Sequence, residues 1–213
     1  MSENHRPEWA SLGEQQAERT PWETGRVSFP ADLLGSWLDV MTRPAEFFRM
    51  LDPGVSFSRP LSFYLLFIIL GAGLSAASSL AVTPGEQTVA PYVWLFFFLS
   101  PFTGLLALLI NSSLTQIGVR MFVKNAQPIH VTARVMCYAA ATSVLSIIPW
   151  VGWLAAGIWS VVLMVVGIQG AHGTSAGRAA AAVFVPIILI TVALALLFIV
   201  LAMVMALAIG AGA

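Results

Sequence analysis

The side chains able to do chemistry are few and far apart. His5 lies in a polar N-terminal stretch, and His130 and His172 lie in or beside loops. Beyond Glu86 the remaining 127 residues hold no Asp or Glu, so His130 and His172 have no carboxylate near them in sequence. A Ser-His-Asp triad, a carboxylate dyad and a carboxylate-held metal all need such an acid. No catalytic, cofactor or metal site is therefore expected. Cys137, the single cysteine, lies in an apolar run and permits neither an internal disulfide nor a zinc cluster. Ion-coupled carriers usually hold an ionisable group at mid-membrane, and no apolar segment has one at its centre.

One polar set does repeat with helical spacing. Ser112, Gln116, Arg120 and Lys124 are four residues apart, with Asn111 and Thr115 in a parallel row. Such a stripe could line a cavity open to the cytosol or receive lipid headgroups at its basic end. The plainer reading is an interhelical hydrogen-bonding face ending in snorkelling bases. Small residues make two further faces, Gly71, Ser75, Ser78 and Ser79 in one and Gly152 with Ala156 in another, as close helix packing requires.

These residues sit in a chain that is 58% hydrophobic and 9% charged, against about 25% charged in soluble domains. That argues against a water-soluble enzyme and for an all-α, polytopic membrane protein. The formal net charge of zero combines unlike parts. Residues 1–60 hold six Arg and nine acids, whereas residues 61–213 hold four bases and only Glu86.

Residues 1–30 read as a disordered cytosolic tail with no signal-peptide core, in which Trp9 and Trp22 are candidate docking points. Residues 31–60 read as amphipathic interfacial helices. Leu33, Leu34, Trp37, Leu38 and Met41 share one face, with Asp32, Ser36, Asp39 and Arg43 opposite. Pro44 starts a second short helix bearing Phe47 and Phe48, which Asp52-Pro53-Gly54 ends. The pair is expected to lie in the headgroup plane or to pack on the cytosolic helix ends.

Residues 61–210 read as five transmembrane helices, at about 61–82, 92–123, 129–148, 151–170 and 176–210. Pro101 and Pro186 mark bends in two overlong helices. With five spans, Arg120, Lys124, Arg134 and Arg178 fall on the N-terminal side, and Tyr92, Trp94, Trp150 and Trp153 cluster at the other boundary. The positive-inside rule then puts the N-terminus in the cytosol and the C-terminus across the cell (inner) membrane.

The order of features resembles the bacterial branch of the Yip1-domain family. The matching pieces are Trp37 to Leu51 (WLDVMTRPAEFFRML), Ala133-Arg134-Val135 through Tyr138, Ile147 to Gly152, Val166 to Gly173, and Gly177-Arg178-Ala179. The resemblance covers about residues 31–210 and implies five spans with a cytosolic N-terminus. Eukaryotic members act in vesicle traffic with Rab-type GTPases, but the Tyr-Gly-Pro signature expected before the first span is replaced by Ser58-Arg59-Pro60. Rab binding is therefore not carried over. The function expected is a non-enzymatic membrane scaffold or adaptor that binds partners through its N-terminal segment and helix faces. The alternative is a lipid- or small-solute transporter or channel using the polar stripe. Expected partners are membrane lipids and proteins, a second copy included, and no nucleic acid.

Overall fold

The computed structural model describes residues 20–24, 29–51, 54, 56–82 and 90–210. These form helices and connecting turns, with no strand among the described residues. A single turn, α1 (Pro21–Thr24), precedes α2 (Ala31–Thr42) and α3 (Pro44–Arg49). The long elements are α4 (Ser58–Val82), α5 (Ala90–Phe122), α6 (Ile129–Ala139) with a 3₁₀ continuation (Ala140–Ile147), α7 (Gly152–Ala171) and α8 (Ala176–Gly210).

By length and composition four helices can cross a membrane: Ser58–Val82, Pro91–Phe122, Gly152–Ala171 and Ala176–Leu201. The segment expected as a third span, 129–148, is divided at Ala139 into α6 and the 3₁₀-helix. The Thr142 and Ser146 hydroxyls each donate to a carbonyl three residues back, at 3.0 and 2.6 Å. Such bonds compete with the regular α ladder. Ser143 and Ser146 also donate to the Phe67 and Gly71 carbonyls of α4, at 2.6 and 2.9 Å. The 3₁₀-helix is thereby stitched to mid-α4.

Pro101 lies within α5. Its missing N–H would have served the Phe97 carbonyl four residues back. The Ser100 hydroxyl supplies that donor at 2.7 Å, so the helix continues. The tight turn before α7 holds Trp150 at φ 65, with its ring exposed. Left-handed backbone costs a non-glycine residue roughly 1–2 kcal/mol.

The core lies where α3, α4, α6 and α7 meet. Tyr138 has ring centroids 4.8 Å from Phe47 and 4.9 Å from Phe63, and Phe63 lies 4.4 Å from Phe67. Such pairs contribute about 0.5–1.5 kcal/mol each beyond their buried area. Phe48 packs on Gly167 and Gly170 of α7. Pro44 does begin α3, as its place after Arg43 suggests.

The N-terminal part differs from expectation in two respects. Residues 1–19 and 25–28 of the tail, Trp9 included, lie outside the described residues. Thr20–Thr24, read as part of a disordered tail, instead form a docked turn, with Thr20, Trp22 and Glu23 buried. In α2, Asp32 and Ser36 are buried while Leu34 and Leu38 are 54% and 51% exposed. Leu33, Trp37 and Met41 pack partly on the core. The helix is rotated from its hydrophobic pattern because its neighbours offer polar partners. Trp22 N–H donates to Ser36 Oγ at 2.9 Å, and Trp37 Nε1 donates to the Ala141 carbonyl at 3.0 Å.

Candidate functional site

Two polar clusters lie at the end of the bundle where α1 docks, called here the proximal end. The first begins with α6, whose helical spacing puts Arg134 and Tyr138 on one face. Glu23 reaches that face from α1. Arg134 Nη1 lies 3.4 Å from Glu23 Oε1, and the Tyr138 hydroxyl donates to the same oxygen at 3.1 Å. The charged side chains are 1% and 0% exposed. Trp22 closes the cluster. Its indole N–H donates to the Arg59 carbonyl at 2.7 Å, its ring meets Phe63 edge-on, and the Arg59 guanidinium lies 5.6 Å over it.

The second cluster is a ring joining α5, α6, the turn between them and the end of α7. Gln127 N–H donates to His172 Nδ1 at 3.1 Å. A neutral imidazole then carries its proton on Nε2, facing Thr132 Oγ1 at 3.1 Å. The Thr132 hydroxyl donates to Gln116 Oε1 at 2.5 Å, and Gln116 Nε2 donates to the Gln127 carbonyl at 2.9 Å. Each partner's donor meets the next partner's acceptor. Burial of His172 pushes its imidazole down to about 4, because desolvation penalises the charged form.

Both clusters direct their polar groups at one another, so chemically they fasten helices together. The stripe on α5 divides accordingly. Ser112, Thr115 and Gln116 are buried, and Gln116 belongs to the ring. Ser112 Oγ has no hydrogen-bond partner among the described residues. Arg120 and Lys124 are exposed at the proximal end, and exposed Asn111 donates to the Ala107 carbonyl of its own helix at 2.9 Å.

The small-residue faces also divide. Gly71 abuts Ser143, and Gly152 abuts the Leu145 backbone, with no room for a side chain at either. Ser75, Ser79 and Ala156, together with Gly71, line a cavity of about 600 Å³ between α4, α5, the 3₁₀-helix and α7. A second cavity, about 350 Å³, reaches Asn111, and its lining does not include Gln116.

The sequence singles out neither Glu23 nor Thr132, it sets His172 aside for want of a nearby carboxylate, and it counts Arg134 only among four bases on the N-terminal side. The signal for Arg134 was present: an arginine inside an apolar segment needs a counter-ion. The acids available to serve it are concentrated in residues 1–60. Of the ring only Gln116 carried a signal, through its place in the α5 stripe; Gln127, Thr132 and His172 are ordinary loop and helix-end residues.

No curated protein and no solved structure matches the chain. The model of the Yip1 domain matches residues 38–209, a stretch that holds α3 to α7 complete and nearly all of α8. With that match and its apolar crossing helices, the chain is an integral membrane protein that belongs to the Yip1-domain family.

Proposed function

We propose that this chain is a non-enzymatic scaffold of the bacterial inner membrane, with five crossings, a cytosolic N-terminus and its C-terminus on the opposite side. The fifth crossing is α6 with its 3₁₀ continuation. Their combined rise is about 32 Å, against a hydrocarbon core of about 30 Å. Exposed Arg120, Lys124 and Arg178 gather at the proximal end, while exposed Tyr92, Trp94, Trp150 and Trp153 gather at the other. That distribution supports the orientation.

Partners bind through the N-terminal segment and through helix faces. The observation that carries this reading is the buried Glu23–Arg134 pair, which ties residues 20–24 to α6 at the proximal end of the bundle. Whatever engages the tail is thereby coupled to the membrane helices. The test is crosslinking in native membranes, then affinity purification in mild detergent with mass spectrometry of proteins and retained lipids. A specific protein recovered with the full chain and lost on deleting residues 1–30 is the expected result. An unchanged set of partners defeats the tail-docking reading.

The alternative, a lipid- or small-solute transporter using the α5 stripe, draws support only from the cavity that reaches Asn111. It requires flux in reconstituted vesicles that Gln116→Leu or Arg120→Ala abolishes without unfolding the protein.

A further inference from the structure

Over its first two turns helix α2 is arranged inside out for water. Asp32 and Ser36 are buried there, while Leu34 and Leu38, one turn apart, are exposed; further on Val40 is buried and Asp39 half-buried. A water-facing helix has the opposite arrangement. Where the surrounding solvent is hydrocarbon, polar groups turn inward and apolar ones outward.

The position of α2 agrees with that solvent. The helix starts beside α1 and runs along the 3₁₀-helix, where Trp37 donates to the Ala141 carbonyl. Near its end, Met41 lines a cavity of about 370 Å³ with Leu145, Ala155, Ile158 and Trp159. These α7 residues lie in the half of that crossing helix away from the proximal end. From the tip at Thr42–Pro44, α3 returns, and Phe48 and Arg49 meet Gly170 near the proximal end of α7. The two short helices thus reach about halfway along a helix of crossing length and come back.

We propose that α2 and α3 form a re-entrant wedge in the proximal leaflet, with Leu34 and Leu38 against lipid acyl chains. The occupant follows from continuity. Ile158, exposed on crossing helix α7, shares its cavity with Met41, so the lipid-facing surface of α7 runs on to α2. At the tip, the Thr42 hydroxyl donates to the Leu38 carbonyl at 2.6 Å, closing a polar group onto its own helix as hydrocarbon requires. Exposed Arg43, Glu46 and Arg49 recur every three residues along the returning arm. They form a polar edge, and the arginine side chains in it are long enough to snorkel towards the headgroups.

The test uses the full chain with Cys137→Ala, which removes its buried thiol. Single cysteines Leu34→Cys and Leu38→Cys are compared in phosphatidylcholine–phosphatidylglycerol vesicles with Leu197→Cys on the exposed face of α8 and with Lys124→Cys. Two readouts are taken: labelling by a membrane-impermeant maleimide, and quenching of an attached bimane by acyl-chain doxyl lipids. The wedge predicts that the α2 positions behave as Leu197→Cys does, protected from the maleimide and quenched by doxyl. Labelling at the rate of Lys124→Cys overturns the proposal and returns α2 to the aqueous surface. Protection without quenching also overturns it, because protein then covers the face, as in association of two copies.

Discussion

Gly118 of α5 lies against the Ala182 carbonyl of α8, and that carbonyl is the acceptor that Pro186 leaves without its helical donor. The glycine covers a break in the neighbouring ladder, and a Cβ at 118 would land on the Ala182 oxygen. Gly118→Ala should therefore push α5 and α8 apart and destabilise by at least about 1–3 kcal/mol, the usual cost of overpacking. Gly157→Ala, at a site with nothing within 4 Å, should be nearly neutral. Thermal unfolding of both variants in detergent checks the contrast.

The Glu23–Arg134 pair should respond asymmetrically. Glu23→Gln breaks the buried ion pair from its acidic side, a loss of about 3–5 kcal/mol. Arg134→Met leaves Glu23 free to move into water with α1, so the bundle should lose less while residues 20–24 undock. Hydrogen exchange distinguishes the two outcomes. The Trp22 N–H, held by Ser36 at 2.9 Å, should lose protection in Arg134→Met while amides in α4 and α7 keep theirs.

Acid should weaken the His172 ring. The folded value near 4 lies below the ordinary 6.5, so the unfolded chain takes up the proton first as pH falls. The contribution of His172 to stability is complete above about 6.5, erodes between 6.5 and 4, and is lost below. Protonation at Nδ1 also removes the acceptor of the Gln127 N–H bond. His172→Gln should start from a lower unfolding temperature and lose less of it than the wild type over that window.

Gln116 and Asn111 share the stripe but should not share a phenotype. Gln116→Leu takes the acceptor from the buried Thr132 O–H and the donor from the Gln127 carbonyl, costing about 1–3 kcal/mol for the buried donor left unpaired. Asn111→Leu removes an exposed amide bonded only to its own helix and should change stability by less than about 0.5 kcal/mol. Denaturant titration of the purified variants compares them directly.

The membrane class, the starts of α3 and α7, and the close-packing glycines Gly71 and Gly152 were legible because each follows from local composition or chain geometry. The rotation of α2 was not, since its hydrophobic pattern is overridden by polar partners 14 and 104 residues away. The division at Ala139 escaped because Ser143 and Ser146 read as ordinary hydroxyls until their acceptors on α4 are known. The proximal clusters lie furthest from a sequence reading. Arg134 announced a need for an acid, yet nothing in its neighbourhood said which of ten upstream carboxylates would answer.

The separation of 111 positions between Glu23 and Arg134 imposes an order of assembly. Residues 20–24 leave the ribosome early, but their binding surface does not exist until α6 has been made and placed beside α4. The first part of the visible fold to be synthesised is among the last to be seated. A chain stalled before α6 therefore keeps Trp22 and Glu23 unburied, and their docking marks a bundle whose helices have found their neighbours.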